Sequence, residues 1–274
     1  RRGVWSGVGH GIGALMAIFG ALLVGRILDG FAYPNNFALL FVLAFLATCI
    51  SFVGLALNRE PPSEVVKARV STRHYFRQLP SVLRANANYR RFFVSRTVIL
   101  MGAMANGFFI IYGRERFELD GAAIGLLTAV LVASQAVMSL AWGVIGDRAG
   151  HKIVLTGAAF ALALAALNTL LAPSQGWLML SFILLGASSS GDAVSGLNII
   201  LEFAAPEDRP TYIGLTNTLL APTIIVAPIL GGWLATVAGF PTLLAIATAF
   251  AATGGVLLAV WVHEPRRQPL PVRT

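Results

Sequence analysis

Apolar residues fall along this chain in eight long runs, at approximately 4 to 28, 35 to 57, 92 to 113, 121 to 145, 153 to 172, 177 to 201, 212 to 238 and 240 to 263. A helix rises about 1.5 Å per residue and the hydrocarbon core of a bilayer is about 30 Å thick, so each run is long enough for one membrane-spanning helix. Polar and helix-breaking residues separate them: Pro34 with Asn35 and Asn36, Pro173, Pro206 with Pro210, and Pro241. Such residues end helices. The pattern predicts an all-α polytopic membrane protein of eight transmembrane helices.

One interval departs from the rest. From Asn58 to Tyr89 the chain is rich in charge and divides the eight runs into two and six. Within it Tyr75, Phe76, Leu79, Val82 and Leu83 recur at helical spacing among Arg73, Arg77 and Arg84. That spacing reads either as an amphipathic helix at the membrane surface or as a solvated linker. The expected organisation is a pair of helices over 1–57, a cytoplasmic linker over 58–91, six helices over 92–264 and a cytoplasmic tail over 265–274.

Composition sharpens the class. Hydrophobic residues make up 57% and charged residues 12% of 274, with a mean hydropathy of +0.76; soluble domains carry about a quarter charged residues. The net charge of +8 would suit nucleic acid, but its placement points elsewhere. With both termini cytoplasmic, seventeen basic residues lie inside, among them the nine from Arg59 to Arg96, and Arg26, Arg114 and Arg116 lie outside. This is the positive-inside pattern, and it explains the basicity by topology and anionic lipid instead of nucleic acid. The single cysteine, Cys49, lies in an apolar run and leaves neither a disulfide framework nor a metal-ligand spacing.

The chain also repeats itself. An ungapped offset of 207 residues lays Arg2 on Arg209, Gly7 on Gly214, Gly25 on Gly232 and Pro34 on Pro241; a shift of three then lays Glu60 and Pro61 on Glu264 and Pro265. The first and second runs thus correspond to the seventh and eighth, a parallel repeat with a period of six helices. Repeats of this kind build transporters whose halves rock about a central site. If the unit is six helices and the chain begins at the fifth, four helices precede it. A start on Arg1-Arg2-Gly3 without Met agrees with that expectation.

Between the fourth and fifth runs lies G143-V-I-G-D-R-A-G-H-K152. Here the chain resembles the major facilitator superfamily, whose signature loop is G-x-x-x-D-R-x-G-R-K/R. Gly143, Asp147, Arg148, Gly150 and Lys152 match in register, and His151 stands where arginine is usual. The resemblance implies helices 5 to 12 of a 12-helix fold and a loop that latches the two halves in one conformation. Glu202, near the cytoplasmic end of the sixth run, is expected to reach this latch. Asp147 can face the positive end of a neighbouring helix. The first run carries Gly3, Gly7 and Gly11, and Gly9 and Gly13, at spacings of four, a small-residue face for tight packing. It lacks the G-P-x-x-G-G element of the family's drug antiporters, so drug export receives no support from it.

Charges within a membrane mark function by default. Asp192 lies about fifteen residues into the sixth run, and Ser188, Asp192, Ser195 and Glu202 are spaced to share one helical face. Asp192 reads either as polar glue between helices or as a carboxylate that carries a coupling proton or meets a cationic solute. Other inward-facing candidates are Asn106, Gln135, Asn217 and His10, the last two at equivalent repeat positions. No phosphate loop, H-E-x-x-H or G-x-S-x-G motif is present, and no cofactor or metal is expected. The expected protein is a monomeric secondary transporter of a small solute by alternating access, with the proton one candidate for the coupling ion. Its expected site is a bacterial inner membrane, among membrane lipid. A transport-inactive sensor or scaffold, and a non-functional fragment, stand as alternatives.

Overall fold

The computed structural model describes residues 2–58, 83–84 and 86–267; the amphipathic stretch expected near residue 75 lies outside them. Among the described residues every element is helical. Helix α1 is Arg2–Gly30, α2 Asn35–Ala56, α3 Ala87–Gly102, α4 Phe109–Phe117, α5 Gly121–Ala149, α6 His151–Leu171 and α7 Leu178–Phe203. The final helical stretch, Arg209–Trp261, is broken at Gly239 (φ 81°, ψ 162°), giving α8 over 209–238 and α9 over 240–261. Pro241, which has no N–H to donate, stands two residues after that break, in the first turn of α9.

Among the described residues six stretches are long and apolar enough to cross a membrane, including Ala87–Phe117, which joins α3 and α4 through a 3-10 turn at Ala103–Ala105, and the 56-residue Pro206–Trp261. The last holds two of the expected runs, one on either side of Gly239. Helix α1, at 29 residues, reaches about 44 Å and exceeds the thickness of a hydrocarbon core. Its first residue and that of α8 are Arg2 and Arg209, the repeat offset seen in the sequence.

The chain packs as two units, one of residues 15–68 and the other of 1–14 with 69–274. In the first, a turn carrying a cis Tyr33–Pro34 peptide leads into α2, where Phe41, Phe45, Ile50, Phe52 and Leu55 are exposed. A helix whose own backbone bonds are all satisfied can present such a surface to lipid without penalty.

The second unit has its core in two layers. One layer gathers Met104, Phe109, Leu127, Phe182, Leu243 and Leu244. The other gathers Tyr89, Phe92, Leu155, Phe203, Leu215 and Leu258. Small residues let helices close to backbone contact, as lipid-embedded packing requires: a Cβ on Gly254 would strike the Ile99 backbone, and one on Gly231 the Met104 carbonyl. Helix α3 is thereby held against α9, and the 3-10 turn that follows it against α8. Its start is tied to the end of α9 by a two-way amide bridge, Asn88 Nδ2 donating to the His263 carbonyl and His263 N–H to Asn88 Oδ1, each at 2.8 Å. Tyr89 Oη lies 2.6 Å from Thr216 Oγ1 on α8.

Candidate functional site

The loop between α5 and α6 is only one residue long. Gly150 takes φ 104°, ψ 152°, a backbone region that side chains rarely adopt, and a Cβ there would also collide with the Glu264 carboxylate. Both reasons demand glycine. The reversal brings the matched loop residues against the chain end and against α7. Arg266 donates through Nη1 to the Asp147 carbonyl at 2.8 Å and pairs with Glu202 Oε1 at 3.2 Å through Nη2. Lys152 Nζ donates to the Ala259 carbonyl at 2.7 Å. The Asp147 side chain accepts the Val4 N–H at 2.8 Å, one of the donors that the first turn of a helix leaves without an internal partner. It therefore sits at the positive end of α1. Arg148 is exposed, while Gly143 is buried where Gly7 of α1 packs across Ser139 and Gly143.

This cluster gathers Asp147, Gly150, Lys152 and Glu202, and adds two residues that the sequence did not single out, Glu264 and Arg266. Burial, and then repulsion from Glu202, push the Glu264 carboxyl up to about 7, with Arg266 opposing. The signal for Glu264 lay in the repeat, which set Glu60-Pro61 on Glu264-Pro265.

Helix α7 carries the second concentration of polar groups. Asp192 pairs with Arg96 of α3, Nη2 to Oδ1 at 2.5 Å; the Arg96 side chain is 10% exposed and that of Asp192 46%. Two cavities flank this pair. One, of about 250 Å³, is lined by Arg96, Asn106, Ser188, Ser189 and Asp192. The other, of about 270 Å³, is lined by Arg96, Asp192, Thr216 and Asn217. Arg96 falls within the run expected at 92 to 113 but was counted there only as a cytoplasmic-side cation. The structure carries it deeper into α3, which begins at Ala87, five residues before that run, where Asn86 caps it by accepting the Tyr89 N–H at 2.9 Å. A lone arginine within an apolar run was the available signal.

A third cavity, of about 590 Å³, lies between α1, α5 and α7 and is lined by Ser6, His10, Gln135, Ser139, Ser189 and Ser190. Gly9 and Gly13 face open space there, whereas Gly7 and Gly11 meet α5, so the glycine pattern of α1 splits into a packing face and a cavity face. The face expected for α7 splits too. Ser188 and Asp192 meet cavities, but Ser195 is fully buried with its Oγ 3.0 Å from His151 Nδ1, and Glu202 lies in the loop cluster. His10 and Asn217, equivalent in the repeat, line different cavities.

Residues 92–274 match the profile described as Major Facilitator Superfamily. The chain belongs to the Major Facilitator Superfamily. This is a family of membrane transporters and not of enzymes, and the apolar helices here make an integral membrane protein. A further similarity is to the multi-drug resistance efflux pump PmrA homolog of Lactococcus lactis subsp. lactis (strain IL1403), 26% identical over 155 residues, which cover 56% of this chain and 35% of that protein. The aligned stretch thus spans about a third of that relative's length.

Proposed function

We propose that this member of the superfamily is a secondary transporter that moves a small solute by alternating access, with the Arg96–Asp192 pair as its coupling centre. The observation that carries the reading is that pair itself. A nearly buried guanidinium is held by a carboxylate that remains half open to two cavities. A buried cation is costly without its partner, so protonation of Asp192 or arrival of a solute group at Arg96 changes the balance of the site. Helices α3 to α9 are read as one half of the transporter and α1 and α2 as part of the other. The loop over 143–152 serves as a latch on the cytoplasmic side, the Asp147 carboxylate holding the positive end of α1 while Arg266 and Glu202 brace the turn.

The named relative's efflux of drugs supports transport in general, and at 26% identity it fixes neither direction nor solute. The test is flux in both directions through the full-length protein in proteoliposomes, over neutral, cationic and anionic solutes, with and without a proton gradient. Gradient-dependent flux of some solute is expected. Flux no greater than that of empty vesicles for every solute contradicts the reading.

A further inference from the structure

We infer that the 590 Å³ cavity between α1, α5 and α7 binds an uncharged, polyhydroxylated solute, a reading that rests on the transport function proposed above and names its substrate class. The size falls within the range of about 300–1,000 Å³ usual for small-molecule sites. Among the described residues the wall holds no carboxylate, ammonium or guanidinium and no aliphatic side chain larger than a methyl group. A charged solute would meet no counter-ion, and the carboxylate of Asp192 is engaged by Arg96 beside the other two cavities.

The hydrogen-bonding sense of the wall narrows the class further. Ser189 and Ser190 spend their hydroxyl hydrogens on their own helix, donating to the carbonyls of Leu185 at 2.9 Å and Ala187 at 3.1 Å. Their oxygens keep lone pairs for another donor. His10 Nδ1 lies 2.7 Å from the Ser6 carbonyl; a carbonyl only accepts, so Nδ1 carries the hydrogen and Nε2 of the neutral ring is an acceptor. Gln135 adds a carboxamide able both to donate and to accept. Ser6 Oγ accepts from Asn198 Nδ2 at 3.1 Å and so keeps its hydrogen to donate; a wall that mixes these acceptors with donors suits a ligand whose hydroxyls both donate and accept.

The test is uptake and binding by the full-length protein in proteoliposomes, with D-glucose, sorbitol and myo-inositol as neutral probes and tetraphenylphosphonium as the lipophilic cation. Saturable uptake of at least one neutral probe, without uptake of the cation, is expected. Gln135→Ala should then raise KM by about tenfold, the loss of roughly one hydrogen bond. Gly13→Leu, which fills the cavity where no neighbouring atom stands within 4 Å, should abolish binding while thermal stability is kept. Transport of the cation alone overturns the assignment and leaves the transporter standing. So does neutral transport indifferent to both Gln135→Ala and Gly13→Leu, which places the solute elsewhere. Transport of neither class, where some other solute does move, overturns the substrate class only; no transport of anything overturns the underlying reading.

Discussion

The loop cluster and the middle of α7 are both polar regions in an apolar protein, yet they are built in opposite ways. At the loop, most charges are spent on backbone: Lys152 and Arg266 donate to carbonyls and Asp147 accepts from a helix start, with the Arg266–Glu202 pair bracing them. In the middle of α7, the Arg96–Asp192 ion pair is side chain to side chain, half open, with cavities on either side. Groups bound to backbone report on the relative position of helices, so the loop is suited to holding a conformation. Groups paired with each other can be repartnered by a proton or a solute, so the middle of α7 is suited to sensing one.

The largest expected effect breaks the second region. Arg96→Ala or Asp192→Asn should lower gradient-driven flux at least tenfold, and Asp192→Asn should also lower thermal stability because it leaves the buried guanidinium without its carboxylate. The Arg96→Ala, Asp192→Asn double variant, with no charge left unpaired, should regain stability but not flux. Next comes the first region. Gly150→Ala imposes both backbone strain and a clash with Glu264, and should cost stability on the order of 1–3 kcal/mol, read as a fall in melting temperature, while a cysteine placed at Arg148 becomes more reactive towards a thiol reagent.

How legible these regions were in the sequence differs for physical reasons. The helices and the break at Gly239 were legible because a span must be about 20 apolar residues long, and a run bounded by proline or glycine has few other readings. The one-residue turn was legible from glycines flanking charges. The start of α3 was set five residues late, at 92, because the charges at Arg90 and Arg91 made its first turn look like linker, whereas the Asn86 cap starts the helix at Ala87. Ser195 was grouped with Asp192 because spacing gives a face only to within a wide arc; which part of that arc meets α6 depends on how α7 is rotated, and the contact with His151 is a product of packing. The cavities require three helices at once and had no local signature.

A smaller effect sharpens the loop through pH. The Glu264 carboxyl is pushed above the usual carboxylate range to about 7, so the closed cluster favours its neutral form. Its contribution is complete below about pH 4.5, the ordinary carboxylate value, and is lost as pH rises from there through about 7, where Glu264 and Glu202 come to repel each other. Reactivity of the cysteine at position 148 should therefore increase between pH 6 and 8, and Glu264→Gln should flatten the curve. The smallest contrast lies along α1. Gly7→Ala drives a methyl into the Ser139 carbonyl and should lower the melting temperature, whereas Gly9→Ala faces open space and should stay within about 0.5 kcal/mol of the parent.

The most direct test of the coupling centre is the flux of a transported solute in proteoliposomes as a function of the imposed proton gradient, for the parent and for Asp192→Asn. The parent's flux should follow the gradient, and that of the variant should be low and insensitive to it. If Asp192→Asn left both the flux and its dependence on the gradient unchanged, the pair would be a structural tie between α3 and α7 and coupling would reside elsewhere.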